Sequence, residues 1–187
     1  MLLSFARMTA AFTAPGFNFT HYTTENGLPS NSVRDITQDK EGYMWFATDG
    51  GVVRFDGTSS KVFVPEDSNG EPDLYIMTLC DTPQGLFIGA DRGIYRYDSR
   101  IEKVEEVKLK YSDEINVRIK GEINDICSDS SGHLWVTVDR LGVFSISPDN
   151  EVVFYQDFPN VVNFIGHLYV DAFGVGGGVS NASEDGI

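Results

Sequence analysis

The sequence predicts an all-β fold built of β-propeller blades, and three observations carry that prediction. An Asp-led turn, followed by an aromatic strand and then a glycine, recurs along the chain. Each recurrence consists of short apolar, β-branched or aromatic runs bounded by Gly, Asp, Asn and Pro, the pattern of strands joined by hairpins. No stretch sustains the three-and-four spacing of an amphipathic helix.

The first copy, ITQDKEGYMWFATDGGVVRFD, contains Asp39, Trp45, Gly51 and Asp56. The second, TLCDTPQGLFIGADRGIYRYD, contains Asp81, Phe87, Gly93 and Asp98. The third, ICSDSSGHLWVTVDRLGVFSI, contains Asp129, Trp135 and Gly142. The aromatic residue follows the turn Asp by six positions in all three copies, and the glycine follows the aromatic by six, six and seven. A weaker fourth copy has Asp171, Gly174 and Gly186, with Gly177 in the aromatic slot. The turn Asp therefore stands at 39, 81, 129 and 171, at spacings of 42, 48 and 42.

Within each unit four strands are expected. The innermost are residues 33–37, 74–80, 123–127 and 163–170, apolar and β-branched. The aromatic second strands are 43–47, 86–89 and 134–137, and the third are 52–55, 94–97 and 143–146. A more polar fourth strand follows at 61–64, 103–107 and 152–155. Four antiparallel strands per roughly 45 residues is the unit of a propeller blade. The repeats fall at about 17–64, 72–107, 121–156 and 161–187, the last incomplete, and together they make residues 17–187 a partial propeller.

The repeated positions have structural explanations. Asp39, Asp81, Asp129 and Asp171 are expected to accept bonds from backbone N–H groups two or three residues on and so close the first hairpin. Gly42, Gly85, Gly132 and Gly174 supply the left-handed backbone there. Trp45, Phe87 and Trp135 are large enough to wedge one sheet against the next, and Trp135 is expected to be largely buried. None of these residues is expected to be catalytic.

Composition excludes several function classes. The chain of 187 residues has 28 acidic and 14 basic side chains, a net charge of −14, which is opposite to the basic footprint a nucleic-acid partner requires. Cys80 and Cys127 form no Cys-x-x-Cys motif and are expected as two buried free thiols. His21, His133 and His167 are not clustered, and the Asp-x-x-Gly turns lack the ligand series of a calcium loop, so no metal is expected. GVGGG at 174–178 lacks the Lys-Ser/Thr of a phosphate loop, no Gly-x-Ser-x-Gly elbow occurs, and no cofactor or carboxylate pair is nominated. No run of 18 apolar residues is present. Residues 1–16 read as a shortened export signal or as a disordered tail, with Arg7 interrupting the apolar run.

The loops joining second and third strands lie on the propeller face that commonly carries ligands. They are TDGG, ADRG and VDRLG, in which Asp49, Asp91 and Asp139 recur and Arg92 and Arg140 follow two of them. Such pairs accept from and donate to sugar hydroxyls, and a guanidinium grips a carboxylate or sulfate bidentately. Asp and Gly are also ordinary tight-turn residues, and Arg can simply pair with the neighbouring Asp. Asn31 and Tyr75, on the same face, would add an amide and a stacking ring.

The segment NFTHYTTENGLPSNSVRDITQDKEGYMWFATDGGVVRFDG resembles the first repeat of the two-component regulator propeller family. Its marks are Phe19 and Tyr22, NGLPSNSV at 26–33, the Asp-x-x-Gly turn and the aromatic strand. The resemblance covers residues 17–187. It implies an N-terminal fragment of a larger seven-bladed propeller, the periplasmic sensor region of hybrid two-component systems of Bacteroidetes that regulate glycan use. On that reading the chain is not an enzyme, since kinase activity would lie in other domains. It recognises an oligosaccharide, packs on the remaining blades and sensor domains, and is open to self-association. A propeller enzyme (a lyase or glycosidase) and a protein-interaction propeller are the alternatives, and turnover of a glycan panel separates the first of them from a sensor.

Overall fold

The computed structural model describes residues 20–111, 114–117, 119, 121–155 and 168. The expectations for the fourth repeat, Asp171 among them, and for residues 1–16 lie outside the described residues. The described chain forms three four-stranded antiparallel sheets. The first contains β1 (Val33–Gln38), β2 (Met44–Thr48), β3 (Gly51–Phe55) and β4 (Ser60–Phe63), each strand paired with the next in sequence. The second contains β5 (Ile76–Thr82), β6 (Gly85–Ala90), β7 (Ile94–Asp98) and β8 (Lys103–Glu106) in the same order. After a two-stranded hairpin, β9 (Leu109–Tyr111) with β10 (Glu114–Val117), the third sheet repeats the plan. It consists of β11 (Ile123–Ser128), β12 (Leu134–Val138), β13 (Gly142–Ile146) and β14 (Val152–Tyr155). The hairpin β9–β10 was not expected from the sequence, and it lies within the longer spacing of 48 between the second and third turns.

The three innermost strands are neighbours: β1 packs on β5, and β5 on β11. Strand alternation gives each sheet two apolar faces. Trp45, Ala47 and Val52 of the first sheet meet Leu86, Ile88, Tyr95 and Tyr97 of the second in one buried cluster. Phe87 and Ile94, on the opposite face of the second sheet, meet Ile126, Leu134 and Val136 of the third in another. These stacked, pairwise-packed sheets are the blades of a propeller arc.

Near the axis, sheets are joined through polar groups. Asp35 and Asp125 sit at register shifts of β1 and β11, and Thr78 is next to the shift in β5. Asp35 Oδ2 accepts from the Leu79 backbone N–H at 2.7 Å, and Asp125 Oδ2 accepts from that of Leu168 at 2.7 Å. The Thr78 hydroxyl bridges the two carboxylates at 3.3 and 3.2 Å. Farther out, Arg54 donates to Tyr97 Oη at 2.6 Å and to Glu102 at 3.0 Å, while Lys61 donates to the other Glu102 oxygen at 2.7 Å.

Asp129 meets the expectation, accepting from Ser131 N two residues on, whereas Asp39 and Asp81 differ from it. Asp39 Oδ1 accepts from Tyr43 N, four residues on, and its Oδ2 accepts the Trp45 indole N–H at 2.7 Å. Asp129 accepts from Ser131 N and His133 N and from the Trp135 indole at 3.0 Å. One side chain thus closes the hairpin and orients the wedge. Asp81, by contrast, lies within β5 opposite Leu86. The second hairpin is one residue tighter than the first, and Thr82 closes it, accepting from Gln84 N and donating to Gly85 O. Phe87 has no N–H to offer an aspartate, so that repeat has no indole for a turn carboxylate to fix. Gly42, Gly85 and Gly132 all have positive φ, as their turns require. Trp45 is completely buried, and Trp135 is partly buried.

Candidate functional site

One end of the blades collects the loop from second to third strand and the segment entering each innermost strand. In the first blade that end is built by the NGLPS segment. Thr23 and Asn26 cap each other in a 3₁₀ turn, Gly27 takes φ 99°, and Leu28 is buried. Pro29 lies so close to Gly50 that a Cβ there would sit 2.8 Å from the proline Cβ. Asn31 Oδ1 accepts from Thr24 N at 2.9 Å, so this predicted site residue ties down the turn. Gly51, at φ 115°, has room for no Cβ, which would stand 2.6 Å from Phe63 O, and its N–H donates to Leu74 O in the next blade. The two glycines of TDGG are therefore required by packing.

The same end of the second blade is organised by a residue the sequence reading missed. Asp73 is 1% exposed, and its Oδ2 accepts from the Arg92 backbone N–H at 2.9 Å and from Tyr95 Oη at 3.1 Å. Burial pushes its carboxyl above the usual range, against the lowering effect of those two bonds. The Asp91 N–H donates to Tyr75 O, joining the loop to the segment that enters β5. That segment was expected to be strand from residue 74, but β5 begins at Ile76, and Leu74 and Tyr75 remain as exposed side chains on this face. Tyr75 is 53% exposed. In the third blade the Asp139 N–H donates to Glu122 O in the same manner.

The charged candidates are not equivalent. Asp49 accepts from Arg34 Nε at 2.6 Å, and that bond, ahead of other causes, holds its carboxyl below the usual range. Arg34 was not singled out in the sequence, because it lies on β1 and meets Asp49 only through strand pairing. Asp139 Oδ2, on a partly buried side chain, is engaged by the exposed Arg140 Nε at 3.2 Å, with Arg140 held at φ 58°. Asp139 Oδ1 and Thr137 Oγ1 are buried and have no hydrogen-bond partner. Asp91 and Arg92 are exposed, and the Arg92 guanidinium makes no ion pair among the described residues.

The structure therefore brings Asn31, Asp49, Tyr75, Asp91, Arg92, Asp139 and Arg140 to one end of the arc. Asn31 is engaged by the backbone, and Asp49, Asp139 and Arg140 by ion pairs. Among the described residues no group of three or more His, Cys, Asp or Glu is placed to hold a metal ion. Cys80 and Cys127 are free and half-buried, and burial pushes the Cys127 thiol up to about 12. A separate cavity of about 220 Å³ lies among Arg96, Asp98, Glu105, Lys108 and Asn150 and includes none of the candidates. No helix among the described residues is long and apolar enough to cross a membrane.

Residues 27–50 match the family model described as two component regulator propeller. Over 70 residues the chain is 39% identical to histidine kinase P4 of Formosa agariphila, covering 36% of this chain and 5% of that protein. Among solved structures it is similar to the extracellular domain of a B. thetaiotaomicron protein described as a hybrid two component system, with a TM-score of 0.62 at 23% identity, over 73% of this chain and 20% of the other. A second such B. thetaiotaomicron domain superposes with a TM-score of 0.61 at 24% identity, over 80% of this chain and 22% of the other. The chain thus spans a small part of each relative, and at these identities the structural likeness speaks for the fold. Residues 27–50 are similar to a two component regulator propeller repeat, and the blades around them form part of a β-propeller.

Proposed function

We propose that this chain is a ligand-sensing part of an exported propeller domain in a hybrid two-component system, that it binds oligosaccharide, and that it performs no chemistry of its own. The observation carrying this reading is the loop end of the arc, where the segment bearing the exposed Tyr75 is backbone-bonded to the loop of the exposed Asp91 and Arg92, itself fixed by the buried Asp73. A flat ring with adjoining donors and acceptors suits a sugar, which offers an apolar face and a rim of hydroxyls. The family match at residues 27–50 and the likeness to extracellular sensor domains support the same reading. The packing of that end on glycines and backbone bonds supports a preformed recognition surface.

The test is calorimetric titration of the full-length protein with a panel of neutral and acidic oligosaccharides, with product analysis on the same mixtures. Binding without released product is expected. Tyr75→Ala should weaken it about tenfold, roughly 1.4 kcal/mol, with unchanged circular dichroism. Release of shorter sugars would replace this reading with an enzyme, and unaltered affinity in Tyr75→Ala would move the site elsewhere.

A further inference from the structure

Three arginines reach the loop end of the arc, and two of them already hold a carboxylate. Arg34 is bonded to Asp49 at 2.6 Å and Arg140 to Asp139 at 3.2 Å. Arg92 occupies the same loop slot as Arg140 but makes no ion pair among the described residues. Its position is nevertheless defined, because its backbone N–H is held by Asp73, a carboxylate 1% exposed, and Asp91 before it is bonded to Tyr75. An ordered loop therefore presents an exposed arginine with no ion pair among the described residues, bonded through its backbone to the segment that carries the exposed Tyr75 ring.

From this juxtaposition we infer that the ligand is an anionic sugar, its carboxylate or sulfate ester gripped by Arg92 while its ring lies against Tyr75. The inference rests on the oligosaccharide reading above and adds the charge class of the ligand. The planar guanidinium fits a carboxylate or sulfate bidentately, which a hydroxyl cannot match. The Asp91 carboxylate is then the acceptor for a hydroxyl of the same residue. Opposing this, the chain carries a net charge of −14, and Asp91 and Glu122 lie on this end. Locally the opposition is reduced, because Asp49 and Asp139 are each matched by an arginine.

The full-length protein is titrated with matched pairs: oligogalacturonate, oligomannuronate and oligoglucuronate fragments, each beside its carboxyl-reduced form, and sulfated galactan fragments beside their desulfated form. At least one anionic member should bind ten-fold or more tightly than its neutral twin, which also identifies carboxylate or sulfate as the group held. Arg92→Ala should abolish that preference, Arg92→Lys should keep part of it, and Arg100→Ala, at the opposite end of β7, should leave it intact. Neutral and anionic twins binding alike, with Arg92→Ala silent, would overturn the inference and leave the oligosaccharide reading standing. Binding of no sugar at all would overturn both.

Discussion

Asp73 is the residue whose chemistry is most out of keeping with its place, a carboxylate shut away from water with two neutral donors and no cation bonded to it. Burial raises its folded-state pKa, so the folded chain takes up a proton more readily than the unfolded chain. Below the unfolded value both states are protonated and the site costs nothing. As pH rises through the ordinary aspartate range and past the elevated folded value, ionisation of the buried group removes stability. Asp73→Asn keeps an acceptor for Arg92 N and Tyr95 Oη but cannot ionise. Denaturant melts should therefore show Asp73→Asn gaining on the parent between pH 4 and pH 7, and a constant difference would contradict the assignment. Asp73→Ala, which strands both donors, should cost about 1–3 kcal/mol at either pH.

At the scale of the strand and its neighbour, the sheets touch through a few slots of fixed size. Ala47, Gly89 and Thr137 occupy the same register position, and at Gly89 the innermost strand of the following blade comes close. At Gly89 a Cβ would lie 2.6 Å from Thr78 Cγ2 and 2.7 Å from Ile123 Cγ2, both stiff β-branched groups. Gly89→Ala should then cost about 1–3 kcal/mol by overpacking. Gly93→Ala, where the nearest group is the flexible Glu106 tip at 3.7 Å and φ is not positive, should be close to neutral. Equal melting midpoints for the two variants would show that the sheets can separate at no cost. The aromatic slot makes a parallel case. Trp45→Ala, removing a completely buried side chain from between Phe63 and Tyr97, should cost about 3–5 kcal/mol and more than Trp135→Ala at its partly buried site. Denaturant unfolding orders the two, and the reverse order would undo the assignment of the wedge.

Over the whole molecule, what the sequence reveals and what it hides divide along the same line. Repeats, turn glycines and wedges are legible because each is written within one unit, at a fixed distance from the turn Asp. The contacts between units are not, since Asp35 with Leu79 and Arg54 with Glu102 are joined only by stacking, and within the second unit Asp73 meets Arg92 only by loop packing. For the same reason the candidate charges could be located on one face but not sorted into engaged and free. The stacking also shows what the arc leaves open. Ile36, Leu79 and Ile126 hold one slot on successive innermost strands, each on the face turned toward the preceding blade. Leu79 is 6% exposed and Ile126 4%, but Ile36 is 53% exposed, and Val62 on the opposite edge strand of the same face is also exposed. Val53 between them is buried, so the exposed apolar groups lie toward the two edges of this face, and such groups invite a second copy. Expressed as these 187 residues, the chain should associate as its concentration rises, with sedimentation velocity showing a growing faster species. Ile36→Lys should suppress that species while leaving the thermal midpoint nearly unchanged, because surface substitutions usually stay within about ±0.5 kcal/mol. Leu79→Lys, in the same slot one blade on, should unfold the protein, because its charge would be buried unpaired against the first sheet. A strictly monomeric parent at all concentrations, or association that Ile36→Lys does not touch, would place the self-adhesive surface on another face of the arc.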